Sequence, residues 1–206
     1  MIKMRILGIN GSPVKGGNVD LIIRKVIQGA KSRMQDSRGE IQDDIIYLDD
    51  FEIKPCKSCE VLPESDICTY HDGMDRIYPL ILKSDLFVLG SPVYFDSVSA
   101  QMKLFIDRCN CLRPLRKNRE GHYFDKSRIE KGRVKRIGAI VLVGGRRQRF
   151  NCALTVLKGF FNWVGIDFFE EILYSHNDFE IGKVGENKEA LKNAFILGKK
   201  LVEGSI

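Results

Sequence analysis

The sequence predicts a doubly wound α/β fold: a five-stranded, mostly parallel sheet between two layers of helices. Three observations carry the prediction. Five short apolar runs punctuate the 206 residues, and each is followed by a segment whose apolar residues fall three and four apart. The first run and its helical segment are joined by a glycine-rich turn, Gly11-Ser12-Pro13-Val14-Lys15-Gly16-Gly17-Asn18. No internal repeat, low-complexity tract or shift of composition marks a second domain, so residues 1–206 read as one unit.

The elements follow in order. Met4 to Ile9 is a nearly continuous apolar run stopped by Asn10-Gly11-Ser12-Pro13, the signature of a strand buried on both faces. From Val19 the apolar positions Ile22, Ile23, Val26, Ile27, Ala30 and Met34 define a one-striped helix, with Asn18 available as its cap. Strands are then expected at Ile41–Leu48, Leu86–Gly90, Arg136–Val143 and Asp167–Tyr174. Helices are expected at Met74–Leu82, Val98–Arg108, Cys152–Val164 and Asn187–Val202. Two stretches break the alternation, a cysteine-bearing loop at 49–73 and a basic insertion at 111–135. Loops of that length in a compact domain are commonly functional.

Composition excludes several classes. With 44% hydrophobic and 29% charged residues the chain is not of a disordered type. No apolar window reaches the length of a membrane span, and the N-terminal residues do not follow a targeting pattern, so a cytoplasmic protein is expected. The net charge of +6 is local, because residues 113–136 carry +7 and the rest of the chain −1.

The turn after the first strand brings backbone N–H groups and a helix N-terminus together, which suits a phosphate. Ser12 and Asn18 can add side-chain hydrogen bonds, and Gly16 and Gly17 allow close approach. The Lys-Ser/Thr of a nucleoside-triphosphate loop and the G-x-G-x-x-G of a dinucleotide loop are both missing. An ordinary glycine turn is the plain alternative. In an open parallel sheet, ligands lie beyond the carboxyl ends of the strands, where later loops join the first. One such loop is Gly90-Ser91-Pro92-Val93-Tyr94-Phe95-Asp96-Ser97, whose Tyr94 and Phe95 can contact a flat heteroaromatic ring, or be buried under a neighbour. Another is Gly144-Gly145-Arg146-Arg147-Gln148-Arg149, a second glycine turn or a solvated basic loop.

Gly11-Ser12-Pro13 with Gly17-Asn18, Ser91-Pro92-Val93-Tyr94-Phe95 leading into Gln101-Met102-Lys103 and Asp107-Arg108, and Gly144-Gly145 resemble the NADPH-dependent FMN reductase superfamily of flavodoxin-like proteins. Pro55-Cys56-Lys57-Ser58-Cys59, Cys68 before Asp72-Gly73-Met74, and Ser175-His176 bring the resemblance nearest to iron-sulfur flavoproteins. The resemblance implies a flavodoxin-like three-layer α/β/α domain. It implies FMN with its phosphate on Ser12, Pro13, Gly17, Asn18 and Val19, its isoalloxazine on Pro92, Val93, Tyr94 and Phe95, and a further edge on Gly144, Gly145 and Arg146. It also implies NAD(P)H as donor and a homo-oligomer, dimer or tetramer.

The six cysteines depart from the pattern. Iron-sulfur flavoproteins resemble C-x2-C-x2-C with a fourth cysteine beyond, a set for a [4Fe-4S] cluster, whereas here Leu62 stands at the third position. Cys56, Cys59 and Cys68 could hold a cluster with another ligand, could join His71 on zinc, or could be bare or redox-active thiols without metal. Cys109, Cys111 and Cys152 are read as small buried hydrophobes, and His122 and His176 as structural or surface groups. No residue is singled out as catalytic. The basic segment, with His122, Tyr123 and Phe124 among its cations, reads as a solvated loop or interface arm, less as an anion-attracting surface or nucleic-acid footprint. The expectation is an FMN-binding oxidoreductase. The alternative is an iron-sulfur flavoprotein carrying electrons to and from ferredoxin, and a nucleic-acid-binding or regulatory protein is the remote one.

Overall fold

The computed structural model describes residues 2–58, 67–112, 135–177 and 181–205. The elements are β1 (Lys3–Asn10), α1 (Asn18–Asp36), β2 (Glu40–Tyr47), α2 (Met74–Lys83), β3 (Leu86–Tyr94), β4 (Ser97–Val98), α3 (Ala100–Arg108), β5 (Ile137–Gly145), α4 (Asn151–Val164), β6 (Asp167–His176) and α5 (Lys188–Glu203). The sheet order is β2-β1-β3-β5-β6, parallel throughout, and β4 folds back antiparallel on the end of β3.

Period-two alternation sorts the strand side chains onto two faces. Met4 and Ile6 of β1, Leu86 and Val88 of β3 and Ala139 and Val141 of β5 pack with α1 and α5. Leu7 and Ile9, Phe87 and Leu89, and Ile140 and Leu142 pack with α2, α3 and α4. The three-layer expectation therefore holds. α1 and α5 cross at two glycines, since a Cβ on Gly29 would lie 1.9 Å from Phe195 O and one on Gly198 1.8 Å from Val26 O.

Successive strands leave β1 in opposite directions, β2 to one side and β3 to the other. The loops after β1 and β3 separate there and open a crevice at the carboxyl edge.

Several boundaries differ from expectation, β5 and β6 each running on by two residues to Gly145 and His176, and two of the differences have a local cause. β3 continues through Pro92 to Tyr94 instead of ending at Gly90. Pairing with β1 stops at Gly90, so at Pro92 the strand is bonded on the β5 side only, a setting that tolerates proline. α3 begins at Ala100, not Val98, because Val98 is in β4 and Ser99 caps the helix by accepting the Met102 N–H at 3.2 Å. Cys59, Leu62, His122, Tyr123, Phe124 and nearly all of the basic insertion lie outside the described residues.

Candidate functional site

The chain curls as it leaves β1. Asn10 Oδ1 accepts the Ser12 N–H at 2.8 Å, and Ser12 Oγ accepts the Val14 N–H at 3.2 Å. Gly16 takes a left-handed φ of +73°, which only glycine adopts freely, and its N–H donates to Asp20 Oδ2 at 2.8 Å. Asp20 is buried in the first turn of α1, and its Oδ1 also accepts from Arg24 Nε at 2.9 Å and Tyr47 Oη at 2.8 Å. Burial, then the bond to Asp20 and its negative charge, raise the Tyr47 pKa. Lys15 Nζ is 2.7 Å from Asp50. Both cations flanking the turn are thus already paired with carboxylates. What the turn offers an anion is backbone dipole: the N–H groups of the first turn of α1 have no acceptor inside the helix. Asn10 Nδ2 is fully buried and has no partner among the described residues, a donor that an acceptor-rich ligand would satisfy.

Asn18 does not cap α1. The helix starts at Asn18 with Gly17 as its cap, and Asn18 Oδ1 accepts the Val184 N–H at 2.9 Å, fastening the short 3-10 turn Lys183–Glu186 before α5. The residue is needed across the fold, not along the helix.

Ser91 and Ser99 tie the β3–β4 hairpin to the turn. Ser91 Oγ accepts the Ser99 N–H at 3.0 Å, and Ser99 Oγ donates to Gly11 O at 2.6 Å. The hairpin reverses through Phe95 and Asp96, both at positive φ, +48° and +61°. Positive φ at both central positions is what a type I′ hairpin turn requires, and for non-glycine residues it costs on the order of 1–3 kcal/mol each. Asp96 Oδ1 accepts the Arg149 N–H at 2.8 Å and locks the turn to the loop after β5. Tyr94 is 48% exposed and Phe95 wholly exposed, so neither is buried under a neighbour.

Of the expected cofactor residues, Ser12, Gly17, Asn18, Val19 and Pro92 line one cavity of about 120 Å³. Pro13, Tyr94, Phe95, Gly144, Gly145 and Arg146 do not line it, and Val93 points into the core beneath α3. The sequence reading missed four lining residues, Val14, Val143, His176 and Ile181. Val143 was detectable from its place before Gly144, and His176 from the Ser175-His176 pair at the carboxyl end of the last strand, where the structure pairs it with Gly145. His176 Nδ1 lies 2.5 Å from Asn177 O, and its ring stacks on Tyr174 with centroids 6.5 Å apart.

The cysteine loop is organised by Arg108, which is fully buried at the end of α3. Its guanidinium pairs with Asp72 and donates to Lys54 O at 3.0 Å, to Tyr70 O at 3.4 Å and to Cys68 Sγ at 3.5 Å. Burial works against ionisation of Asp72, but the bonds from Arg108 and from the Lys54 and Met74 N–H groups hold its carboxyl below the usual value. Arg108 Nε is buried without a partner among the described residues. Cys56 and Cys68 are half-buried, and Cys59 lies outside the described residues. His71 pairs with Asp75 at 3.3 Å with its side chain 68% exposed. Among the described residues no three or more metal-binding side chains gather.

Cys109 and Cys111 are buried as expected. Burial raises the Cys109 pKa and pushes Cys111 up to about 11. Cys152 is exposed, contrary to expectation, because it sits on the outer face of the first turn of α4. A larger cavity of about 410 Å³, walled by Cys56, Cys109, Phe160 and Trp163 among others, shares no residue with the β1 turn.

Comparison with known proteins agrees with this arrangement. The family model described as NADPH-dependent FMN reductase matches residues 4–179. An iron-sulfur flavoprotein of Methanosarcina thermophila is 34% identical over 144 residues, 70% of this chain and 65% of that protein. An iron-sulfur flavoprotein of Methanocaldococcus jannaschii is 37% identical over 113 residues, 55% of this chain and 54% of that protein. The alignments thus span less than two thirds of those relatives. Among solved structures, a flavone reductase superposes with a TM-score of 0.69 at 18% identity, covering 98% of this chain and 63% of that one, a likeness of fold.

Proposed function

The chain belongs to the NADPH-dependent FMN reductase family, and from that footing we propose that it is an FMN-binding oxidoreductase that takes electrons from NAD(P)H and passes them to a small-molecule acceptor. One observation carries the reading. A turn built to present backbone donors shares a cavity with Pro92 and Val143 at the carboxyl ends of β1, β3 and β5, inside the span that matches the family. When bound, FMN supplies the hydride acceptor and the store for one or two electrons.

The chain's own residues bind and orient. In this proposal Ser12, Pro13, Gly17, Asn18 and Val19 hold the phosphate, and the 120 Å³ cavity suits the phosphate end of the cofactor. Pro92, Val93, Tyr94 and Phe95 would hold the ring, Val93 with its backbone alone because its side chain is in the core. Gly144, Gly145 and Arg146 meet a further edge. The Ser91–Ser99–Gly11 bonds keep the ring-bearing hairpin and the phosphate turn in register, so orientation is set before binding. The test is anaerobic titration of the FMN-loaded protein with NADPH and NADH: bleaching of the flavin absorption supports the reading, and an unbleached flavin with both refutes it. A protein that takes up no FMN refutes it earlier.

A second reading, an electron carrier exchanging electrons with ferredoxin, is favoured by Arg108, whose donor sits on Cys68 as it would on a cluster thiolate. In it, Cys56, Cys59 and Cys68 would supply three thiolates to a [4Fe-4S] cluster, with Leu62 at the motif's third position and another ligand making up the set. Iron and sulfide assays on anaerobically purified protein decide it, and Cys59→Ala should abolish any iron while FMN stays. We take the protein to be a cytoplasmic homo-oligomer, dimer or tetramer, measurable by sedimentation. No described helix is long and apolar enough to cross a membrane.

A further inference from the structure

The cavity at the β1 turn offers an anion dipoles, and only one side chain on its wall can add a charge. Among the described residues that line it, His176 alone is ionisable. Its place follows from the strand. Ile172 and Tyr174 of β6 pack toward α1 and α5, so period two puts His176 on the same face, where it shares the cavity with Asn18 and Val19. The imidazole is held there by its stack on Tyr174, with 20° between the rings.

The ring is also held in one tautomer. Its Nδ1 is 2.5 Å from Asn177 O, and a carbonyl oxygen only accepts, so Nδ1 carries the hydrogen. The neutral ring then has its lone pair on Nε2, which repels a phosphate oxygen. Protonation reverses this: Nε2 becomes a donor and the ring becomes a cation, the pairing that makes strong hydrogen bonds to phosphate. No other cation among the described residues is free to take the same part at the wall. Lys15 and Arg24 beside the turn are paired with Asp50 and Asp20, and Lys183 before α5 is paired with Glu186. Asp20 is taken up by Gly16, Arg24 and Tyr47, and Arg146 beyond β5 does not line the cavity. Around the ring, β6 presents Tyr174, while the β1 turn, β5 and Ile181 present no ionisable side chain to the cavity. Asp178 and Glu180 lie outside the described residues.

Resting on the placement of the FMN phosphate in this cavity, we infer that His176 is a further binding residue for that phosphate and serves only when protonated, so cofactor binding and proton uptake are one coupled event. The group recognised is a phosphate dianion, and the flavin ring takes no part. The sign follows from linkage. The charged imidazole favours the ligand, so affinity is lost as pH rises and the ring gives up its proton, and bound phosphate holds that proton to higher pH than the empty site does. A phosphate monoester loses its second charge below about pH 6, which weakens binding from the acid side. FMN affinity therefore passes through a maximum, and only its alkaline limb belongs to His176.

The test is titration of apoprotein with FMN and riboflavin by fluorescence and with inorganic phosphate by calorimetry, from pH about 5.5 to about 8.5. FMN affinity of the native protein should fall about tenfold or more along the alkaline limb, and riboflavin affinity should stay level. His176→Gln, which offers an uncharged donor at every pH, should lose the alkaline limb and keep the acid one. His176→Phe, which keeps a ring over Tyr174, should bind FMN weakly throughout and riboflavin as the native protein does. Calorimetry in two buffers of different ionisation enthalpy should show more protons taken up with FMN by the native protein than by His176→Gln, a difference that a merely structural role would not produce. The same alkaline limb in the native protein and both variants, or equal losses for FMN and riboflavin, overturns the inference. Inorganic phosphate bound with that limb by a protein that takes up neither flavin leaves the His176 contact standing and removes the FMN reading instead.

Discussion

Asn18→Asp separates two demands that one side chain meets. The carbonyl oxygen of Asn18 accepts the Val184 N–H at 2.9 Å, and an aspartate oxygen in the same place would accept it equally well. That bond to the fold is therefore kept. The proposed phosphate site loses much, because the amide that could donate is replaced by a second carboxylate oxygen on the wall of the cavity. A full negative charge about 4 Å from a unit charge repels it by about 1 kcal/mol even at the dielectric of water, and a phosphate dianion doubles this to about 2 kcal/mol. Asn18 is only 7% exposed, which weakens screening and makes that figure a floor. FMN affinity should then fall by about thirtyfold or more. The assay is fluorescence titration of apoprotein with FMN and, separately, with riboflavin, which has the same ring and no phosphate. Riboflavin affinity should hardly change. Equal losses for both flavins, or no loss for either, would refute the placement of the phosphate on Asn18. Asn18→Ala provides the converse: the Val184 N–H loses its acceptor, so stability falls by about 1–3 kcal/mol.

Three further outcomes follow from the geometry. Because the Asp72 pKa is depressed in the folded chain, its contribution is complete above the ordinary value of 3.8 and is lost as pH falls through the folded value. Melting temperature should therefore drop more steeply below pH about 4 in the native protein than in Asp72→Asn, which at neutral pH is destabilised by about 3–5 kcal/mol because Arg108 is left buried and unpaired; parallel pH profiles would count against the pair. Alkylation of the native protein at pH about 8 should modify exposed Cys152 while Cys109 and Cys111, buried and with raised pKa values, stay unmodified until unfolding, as read by peptide mass spectrometry. Gly198→Ala places a Cβ 1.8 Å from Val26 O and should cost about 1–3 kcal/mol or more as α1 and α5 are forced apart, seen as a fall of several degrees in melting temperature.

The parallel strands and the helices between them were legible because buried strands and one-striped helices leave different periods in the sequence, as in Met4–Ile9 against Val19–Met34. The turn between β1 and α1 was legible because glycines at 16 and 17 precede a helical period. What stayed hidden depends on contacts made across long separations. Asn18 looks like a helix cap until Val184 is brought to it, and Pro92 looks like a loop residue beyond the strand until β1 is seen to stop short of it and leave β3 to continue on the β5 side. Asp20 reads as an ordinary first-turn acid, and nothing local shows that Gly16, Arg24 and Tyr47 all converge on it. The Phe95–Asp96 turn was the least legible of all, because type I′ geometry is normally announced by asparagine and glycine.

The turn after β1 and the cysteine loop are held by opposite physics, and this bears on how each can work. The turn after β1 and the hairpin after β3 are joined by neutral bonds through Ser91, Ser99 and Gly11, and Lys15 and Arg24 beside the β1 turn are each paired with a carboxylate. Such a site meets an anion with dipoles already oriented, so binding needs little reorganisation. The cysteine loop is held by a buried charge pair whose guanidinium reaches four partners from one side chain. Removing either charge leaves the other unpaired in a low dielectric, so this loop keeps its shape cooperatively or loses it altogether. A ligand on the cysteine loop would therefore be coupled through Arg108 to the placement of Lys54, Cys68, Tyr70 and Asp72, whereas a ligand on the β1 turn would leave the fold as it is. Hydrogen exchange at Lys54 and Met74, whose N–H groups both donate to Asp72, tests the distinction: it should respond to Arg108→Met and not to FMN, and protection of those amides by FMN would show that the two loops are one cooperative unit.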